Sequence, residues 1–444
     1  MHFGEFVRRR HAAGALVVQP RMGFADPALM RAGLVATRGA AATTVGTITL
    51  DSFTRLGDPA SATRALREGT ELNGYPILSH ALSATRRVLA GVHDGEFPVQ
   101  VRHGSARPQD ITRATVAAGL HATEGGPVSY CLPYGRTPLT EAVRNWRECC
   151  ELLLGAAGEP HLETFGGCMM GQLCPPSQLV AISVLEAMFF QRHGIRSVSV
   201  SYAQQTHPAQ DREAVAALRR LCAELLLGTD WHVVIYAYMG RFPRTADGAR
   251  NLLARAAELA VSTGAQRLIV KTVAEAERIP TIAENVAALE HAAAAADRAF
   301  GTLAAGTLAG GIGAAEPDGG QVYREARALV DAVLDCAPDI GNALVRAFAR
   351  GLLDIPYCLH PANAGRARGR LDADGRLGWA DIGALPLAGV VGEIRGRTVS
   401  SSSFLSSLSY VRDTYDTAAL TTGTLPALSA GHLVQTAERG DEHD

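Results

Sequence analysis

The chain has 444 residues, of which 47% are hydrophobic and 19% are charged, and its formal net charge is -2. This composition is typical of a globular protein with a large buried core, and it excludes a disordered or fibrous chain. Because 42 basic residues are balanced by 44 acidic ones, no overall electric field would attract nucleic acid or an anionic membrane, and we expect neither as a partner.

The N-terminal region has an apolar run at 15–18 that Gln19 and Pro20 interrupt at once. This run is far shorter than the core of a signal peptide, and no stretch approaches the roughly 20 apolar residues of a membrane-spanning helix. None of the eight cysteines forms a C-x-x-C pair, so we expect reduced thiols. Together these features predict a cytoplasmic protein.

Short β-branched segments alternate with helical, Ala/Leu/Arg-rich segments along the chain, which is the pattern of βα units with parallel strands. The predicted strands are 15–19, 43–50, 75–80, 97–103, 120–124, 162–165, 197–204, 232–239 and 267–271. The predicted helices include 140–154, 176–193, 211–227 and 245–263. Nine strands overfill an eight-stranded barrel by one, so one of them is misassigned or lies outside it.

The fold class that this pattern favours is α/β, as a (β/α)8 TIM-type barrel with a smaller C-terminal α+β extension. A doubly wound parallel sheet is the competing fold, but it usually carries a glycine-rich phosphate turn after its first strand. Here that position reads Pro20-Arg21-Met22-Gly23-Phe24. The barrel is therefore the better prediction.

A stretch of small residues at 301–320 predicts a boundary between two domains. Residues 1–300 would form the catalytic barrel, and residues 321–444 the C-terminal extension. Within that extension we expect a helix at 321–353, a Pro/Gly-rich segment at 355–396 and a Ser/Thr-rich acidic tail.

Three arginines, Arg21, Arg55 and Arg102, follow or close predicted strands. Catalytic groups of a barrel collect at the C-terminal ends of its strands, and guanidinium groups pair bidentately with carboxylates. Three such arginines indicate a site for a ligand with more than one carboxylate. The alternative is that they are independent surface residues of an arginine-rich chain.

The next strand ends in Glu124-Gly125-Gly126, and Tyr130 and Tyr134 follow. Glycines allow the backbone to turn tightly beside a ligand, and a carboxylate among cations stays ionised, so that Glu124 could hold or deprotonate an ammonium group. A site with both charges fits an amino dicarboxylate such as glutamate or aspartate. The tyrosines could equally be packing residues at the barrel mouth.

Lys271 is the only lysine, so that 41 of the 42 basic residues are arginine. Because an ammonium is a compact point charge and a guanidinium a planar fork, a single surviving lysine suggests that an ammonium is required there. Survival by chance is the alternative.

Several motifs occur in an order and at a spacing that resemble the catalytic epsilon subunit of glutamate mutase, also called methylaspartate mutase. The motifs are VVQPRMGF, LDSFTR, LNGYP, VRHG, EGGPVSYCLPY, TFGGCMMGQLCPPS, YMGRFP, IVKTVAEA and DIPYCLHPANAGR, and they cover residues 14–395. The resemblance implies a (β/α) barrel isomerase that uses adenosylcobalamin to convert L-glutamate to threo-3-methyl-L-aspartate by radical rearrangement of the carbon skeleton. It also implies a separate small cobalamin-binding subunit, and a homodimer of this chain within a heterotetramer.

The resemblance assigns roles to individual residues. It implies substrate binding by Arg21, Arg55, Arg102, His103, Glu124, Tyr130 and Tyr134, with Glu124 and Arg102 as the catalytic groups. It implies binding of the adenosyl cofactor by Gly23, Asn73, Pro133, Phe242, Lys271, Glu275 and Ile279. The four-residue spacing of Lys271 and Glu275 would place both on one side to hold ribose hydroxyls, with a solvated salt bridge as the alternative.

No residue of this chain is expected to bind the cobalt, because the cobalamin signature D-x-H-x-x-G is absent. Asp230-Trp231-His232 begins it, but Ile235 stands where the glycine would be. After about residue 396 nothing resembles the family. Two other functions stay open: a related cobalamin mutase for another amino dicarboxylate, and a noncatalytic barrel that binds a ligand or supports assembly.

Overall fold

A computed structural model of the chain describes residues 2–133, 135–169, 173–305, 320–392 and 399–421. Its central element is a sheet of eight parallel strands, in the order β1-β8-β7-β6-β5-β4-β3-β2. The strands are β1 (Val17–Gln19), β2 (Gly46–Thr49), β3 (Val99–Arg102), β4 (Ala122–Gly125), β5 (His161–Thr164), β6 (Ser197–Ala203), β7 (Asp230–Tyr236) and β8 (Arg267–Ile269).

The first and last strands close the sheet into a barrel. Val17 of β1 pairs with Arg267 of β8, and on its other side β1 meets the segment before β2 through a parallel bridge between Val18 and Thr44. The backbone N–H of Val18 donates to the carbonyl of Thr43 at 2.9 Å. These contacts confirm the (β/α)8 barrel and exclude the doubly wound sheet.

Helix α1 precedes the first strand, and the other helices of the barrel follow its strands in sequence. They are α1 (Phe3–Ala12), α2 (Pro27–Gly39), α3 (Ser52–Leu56), α4 (Pro59–Arg67), α5 (Leu82–Leu89), α6 (Gln109–Ala117), α7 (Leu139–Leu154), α8 (Pro176–Arg192), α9 (Pro208–Leu225), α10 (Ala246–Ser262) and α11 (Ile282–Ala304). The four helices predicted between strands are confirmed as α7 to α10, each with shifts of a few residues at most.

Two predicted elements are wrong. Residues 75–80 form no strand: Tyr75 makes only an isolated bridge to Leu50, and Pro76 then starts a turn because proline has no N–H for a sheet ladder. The helix predicted at 321–353 is two helices, α12 (Gly320–Leu334) and α13 (Ile340–Arg350). Pro338 precedes α13, and Asp339 caps it by accepting the N–H of Asn342 at 2.8 Å.

The C-terminal region continues with an antiparallel pair, β9 (Arg368–Leu371) and β10 (Leu377–Asp381), and ends with α14 (Ser401–Thr421). Helix α8 is buried along almost its whole length, and α12 and α13 pack on it. This explains why its sequence is apolar on all sides. Buried side chains of α8, α12 and α13 belong to one hydrophobic cluster. The boundary at 301–320 remains a prediction, since residues 306–319 lie outside the described ones.

All eight cysteines are buried and unpaired, as expected for reduced thiols. Within the described ranges, no helix is long and apolar enough to cross a membrane.

Candidate active site

An ion pair between Arg102 and Glu124 lies at the C-terminal end of the barrel. Arg102 is the last residue of β3, and Glu124 lies on the adjacent strand β4. The pairing of Val101 with Thr123 holds these two strands in register. Arg102 Nε donates to Glu124 Oε2 at 2.6 Å, and the two residues are only 3% and 2% exposed. Although burial opposes it, Glu124 together with the neighbouring Tyr236 holds the pKa of Arg102 well above its usual value.

Tyr130 donates from its hydroxyl to the other oxygen of the Glu124 carboxylate, Oε1. Its ring packs on Phe165, with ring centroids 5.0 Å apart, and on His103, 5.2 Å away. Burial raises the pKa of Tyr130 well above its usual value, and the negative charge of Glu124 raises it further. Tyr130 is therefore a hydrogen-bond donor to Glu124, and the structure brings these two predicted site residues together.

The glycines after Glu124 permit a close approach by two side chains. A Cβ on Gly125 would collide with the indole ring of Trp146, and a Cβ on Gly126 would collide with the carboxylate of Glu186. At each of these positions any larger residue would displace a buried side chain. The glycines thus serve packing of the loop, in addition to any approach by a ligand.

Glu186 of α8 holds this loop and is not among the residues predicted from the sequence. Its carboxylate accepts the backbone N–H groups of Val128, Ser129 and Gly166 at 3.2, 2.8 and 2.9 Å, and the hydroxyl of Ser129 at 3.0 Å. Burial raises the pKa of Glu186 to about 7, although these donors lower it. A single acidic residue within the apolar sequence of α8 was the available signal.

Arg55 and His103 lie beside the Arg102–Glu124 pair. Arg55 Nε donates to the carbonyl of Leu50 at 2.7 Å, and burial lowers the pKa of Arg55, against the opposing charges of Tyr130 and Glu124. His103 Nδ1 accepts the N–H of Ser105 at 3.2 Å, and no partner of its buried Nε2 is found in the described chain. Burial, Arg55 and Arg102 lower the pKa of His103 to about 3, so its neutral ring presents an N–H donor.

A second group of charges forms around Glu275. Arg21 Nη1 donates to Glu275 Oε1 at 2.9 Å, and Lys271 Nζ lies 3.4 Å from the same oxygen. Burial lowers the pKa of Lys271 to about 8. The positive charge of Arg21 lowers it as well, whereas the negative charge of Glu275 raises it. The ammonium also lies 5.1 Å from the centroid of the Phe242 ring. The structure therefore places Arg21 with three of the residues predicted to bind the cofactor.

The other residues predicted to bind the cofactor lie elsewhere. A Cβ on Gly23, in the loop after β1, would collide with the carbonyl oxygen of Thr49, so this position must be glycine. Asn73 is exposed and exchanges hydrogen bonds with Ser52 at the start of α3, Pro133 is half-buried, and Ile279 is 43% exposed. Within the described residues no hydrogen bond or ion pair joins Asn73 or Ile279 to Lys271, and Tyr134 lies outside those residues.

A polar network fills the barrel beneath Glu124, and the sequence analysis did not predict it. Tyr236 of β7 contacts Glu124 Oε2 at 2.9 Å and also Glu163 of β5, which pairs with Arg267 of β8. Gln19, Gln100 and Ser199 complete the network at fully buried positions. Its only sequence signal is the presence of polar residues within six strands, β1, β3 and β5 to β8.

The charges at the barrel mouth do not cancel. Among the described residues, these two groups bring together four cationic side chains, Arg21, Arg55, Arg102 and Lys271, and the carboxylates of Glu124 and Glu275. Two positive charges are in excess, which suits a ligand with two carboxylates. Among the described residues no group of three His, Cys, Asp or Glu side chains is placed to hold a metal ion.

Comparison with known proteins gives a consistent result. The model of a family described as methylaspartate mutase E chain (MutE) matches residues 1–424, so the expectation that the resemblance ends at about residue 396 is wrong. Glutamate mutase epsilon subunits from Halobacterium salinarum and Escherichia coli O157:H7 are 32% and 30% identical, over 76% of this chain and 71% and 72% of theirs. The one from Desulfitobacterium hafniense is 30% identical over 79% of this chain and 74% of its own length.

Proposed function

The chain belongs to the methylaspartate mutase E chain family, and we propose that it is the catalytic subunit of an adenosylcobalamin-dependent glutamate mutase. The reaction is the isomerisation of L-glutamate to threo-3-methyl-L-aspartate. The observation that carries this proposal is the buried Glu124 carboxylate in a mouth with two positive charges in excess. A ligand with one ammonium and two carboxylates matches that distribution.

Substrate binding uses the residues around Glu124. The substrate ammonium joins Arg102 as an ionic partner of Glu124, while Arg102 keeps its contact with Tyr236 and donates from Nη1 to a substrate carboxylate. Arg55 and the free Nε2–H of His103 supply further donors for carboxylate oxygens. Burial of these groups excludes water and fixes the substrate in one orientation, which confines a reactive intermediate by position.

The adenosyl group fits the second charge cluster. Within the described residues Glu275 Oε2 has no hydrogen-bond partner, while Oε1 is held by Arg21 and Lys271. A carboxylate oxygen beside an ammonium offers an acceptor and a donor for adjacent ribose hydroxyls, and the neighbouring Phe242 ring offers an apolar surface. Adenosylcobalamin, when bound, supplies the carbon radical that starts the rearrangement. Lys271, Glu275 and Phe242 hold the ribose near the substrate.

The cobalamin itself requires a partner in this proposal. The sequence has no D-x-H-x-x-G signature, so a separate small subunit would provide the cobalt ligand, with two copies of this chain in the assembly. Epsilon subunit is the name of the related proteins, which supports a multi-subunit enzyme.

Reconstitution tests the proposed function. The purified chain is mixed with a small cobalamin-binding mutase subunit, adenosylcobalamin and L-glutamate, and methylaspartate is followed by proton NMR. We expect methylaspartate only in the complete mixture. Turnover by this chain without the small subunit would overturn the two-subunit assignment. Turnover of a longer or shorter amino dicarboxylate in preference to L-glutamate would overturn the assigned substrate.

A further inference from the structure

The hydroxyl group of Tyr236 contacts three charged side chains at once. Its oxygen lies 3.2 Å from Arg102 Nη2 and 2.9 Å from Glu124 Oε2, and it is also in hydrogen-bond contact with Glu163 Oε1. All four residues lie inside the barrel and are at most 3% exposed. A tyrosine hydroxyl has one proton and two lone pairs, so the distribution of protons among these contacts is constrained.

The single proton of Tyr236 points to Glu163. Arg267 and, at a greater distance, Arg102 hold the pKa of Glu163 below its usual value although burial opposes them. Glu163 Oε2 also accepts hydrogen bonds from Arg267 Nη2 and from Ser199, the latter at 3.1 Å. An ionised Glu163 can only accept, and its Oε1 lies closer to the Tyr236 oxygen than Glu124 Oε2 does, so we assign the single proton to the contact with Glu163.

Both remaining contacts must then be made to the lone pairs of Tyr236. A guanidinium can only donate, so Arg102 Nη2 occupies one lone pair. The second faces Glu124 Oε2, and a hydrogen bond forms there only when Glu124 carries a proton. The network thus has one vacant acceptor, directed at the carboxylate that faces the substrate.

On the basis of the proposed function, we propose that Tyr236 is a positioning residue, oriented by Glu163 and Arg267, whose oxygen accepts a hydrogen bond from Glu124 once Glu124 has taken a proton from the substrate ammonium. In that step an N–H bond of the ammonium breaks and an O–H bond forms on Glu124. The electron pair of the N–H bond stays on nitrogen, which becomes a neutral amine. Tyr236 stabilises the protonated carboxyl group and does not touch the substrate.

Other groups around Glu124 also affect the proton transfer from the substrate ammonium to its carboxylate. Among the described residues, the titratable and charged side chains around it are Arg102 of β3, the adjacent His103, Tyr130 of the loop after β4, Tyr236 of β7, Arg55 of α3, Cys168 of the turn after β5 and, through Tyr236, Glu163. Among these, Tyr236 can lose its oxygen with the least change in shape and charge, because phenylalanine keeps the ring. Tyr236→Phe is therefore the informative variant.

The test is the pH dependence of L-glutamate affinity, measured by calorimetry on the full chain alone and in the assembled enzyme, together with kcat/KM. In Tyr236→Phe the phenyl ring offers no acceptor to protonated Glu124. We therefore expect the acid-side midpoint of the pH profile of L-glutamate affinity to move to lower pH by about 0.5 to 1 unit. We also expect kcat/KM to fall by about five- to twentyfold.

Tyr202→Phe is the matched control. Tyr202 is equally buried, on the neighbouring strand β6, and donates at 2.8 Å to Asp211, outside the network. Tyr202→Phe also removes one hydroxyl oxygen, and we expect it to leave the acid-side midpoint of L-glutamate affinity unchanged. If Tyr236→Phe fails to fold, 3-fluorotyrosine at position 236 keeps the shape and weakens the acceptor, and a smaller shift in the same direction is expected.

The outcomes separate the two proposals. A midpoint that Tyr236→Phe leaves unchanged, or that Tyr202→Phe shifts equally, overturns the role of Tyr236. L-glutamate binding with the expected shift but without turnover by the wild-type assembly overturns the mutase assignment alone. Absence of any L-glutamate binding overturns both.

Discussion

The ammonium of Lys271, two residues after the end of β8, lies 3.4 Å from Oε1 of Glu275. The Lys271 side chain is only 6% exposed. The same oxygen accepts the hydrogen bond of Arg21 Nη1. The sole lysine of the chain is thus buried in an ion pair at the barrel mouth, instead of lying on the surface where an unselected lysine is expected.

Replacement of Lys271 by arginine should impair function more than folding. A planar guanidinium is larger than an ammonium and would displace the Phe242 ring, which lies 5.1 Å from Nζ. We expect near-normal thermal unfolding but slowed cofactor homolysis in the assembled enzyme with L-glutamate, followed by the visible spectrum of cobalamin. The control is the exposed ion-pair residue Arg250, changed to lysine. Normal homolysis in Lys271→Arg would show that the ammonium is not needed.

The ionisation of Lys271 should make stability depend on pH. Its pKa is lowered to about 8 by burial, whereas an unfolded chain has the ordinary value of about 10.4. Between these values the unfolded state binds more protons, so the free energy of unfolding should rise with pH from about 8 to 10.4 relative to Lys271→Met. Denaturant unfolding of both proteins at several pH values measures this difference. Because the variant has no lysine, a constant difference would contradict the buried, shifted ammonium.

Arg102→Lys should lower kcat/KM by about one to two orders of magnitude, which is about 1.4 kcal/mol of transition-state stabilisation for each factor of ten. Lysine keeps the charge but cannot make both the 2.6 Å contact of Nε with Glu124 and the contact of Nη2 with Tyr236. Arg107→Lys is the control, because Arg107 pairs with Glu141 with its side chain 62% exposed. Steady-state kinetics that are equal for the two variants would remove Arg102 from the substrate site.

Glu186→Gln should destabilise the protein by about 1 to 3 kcal/mol, because one amide N–H₂ group would face backbone donors and leave them unsatisfied. The loop that carries Tyr130 would then lose its support, and KM for L-glutamate should rise as well. Glu290→Gln is the control, since Glu290 accepts a single backbone N–H, that of Ala41, near the surface. Denaturant unfolding and steady-state kinetics measure the two effects. Equal stability losses for Glu186→Gln and Glu290→Gln would show that the loop does not depend on Glu186.

The local sequence pattern was sufficient for most of the fold. Eight of the nine predicted strands occur, because β-branched runs between helical segments are a local signal that the barrel preserves. The exception, 75–80, has an apolar run like the others, but Pro76 removes a donor that a ladder needs. The tail was described only by its composition, yet 401–421 is helix α14, and Asp416 accepts the N–H and hydroxyl of Thr245 at 2.9 and 2.7 Å.

The candidate site was predictable only where strand ends mark it. Arg102, Glu124 and Lys271 could be chosen from the sequence, because the C-terminal ends of parallel strands meet at one face of a barrel and carry its polar ligands. Which of these groups pair is decided by the tertiary structure. It brings Arg21 to Glu275, Tyr236 to Glu163 and Glu186 to a loop 57 residues earlier in the chain. Such contacts depend on barrel closure and on which face of each strand points inward, and no local pattern of residues encodes either.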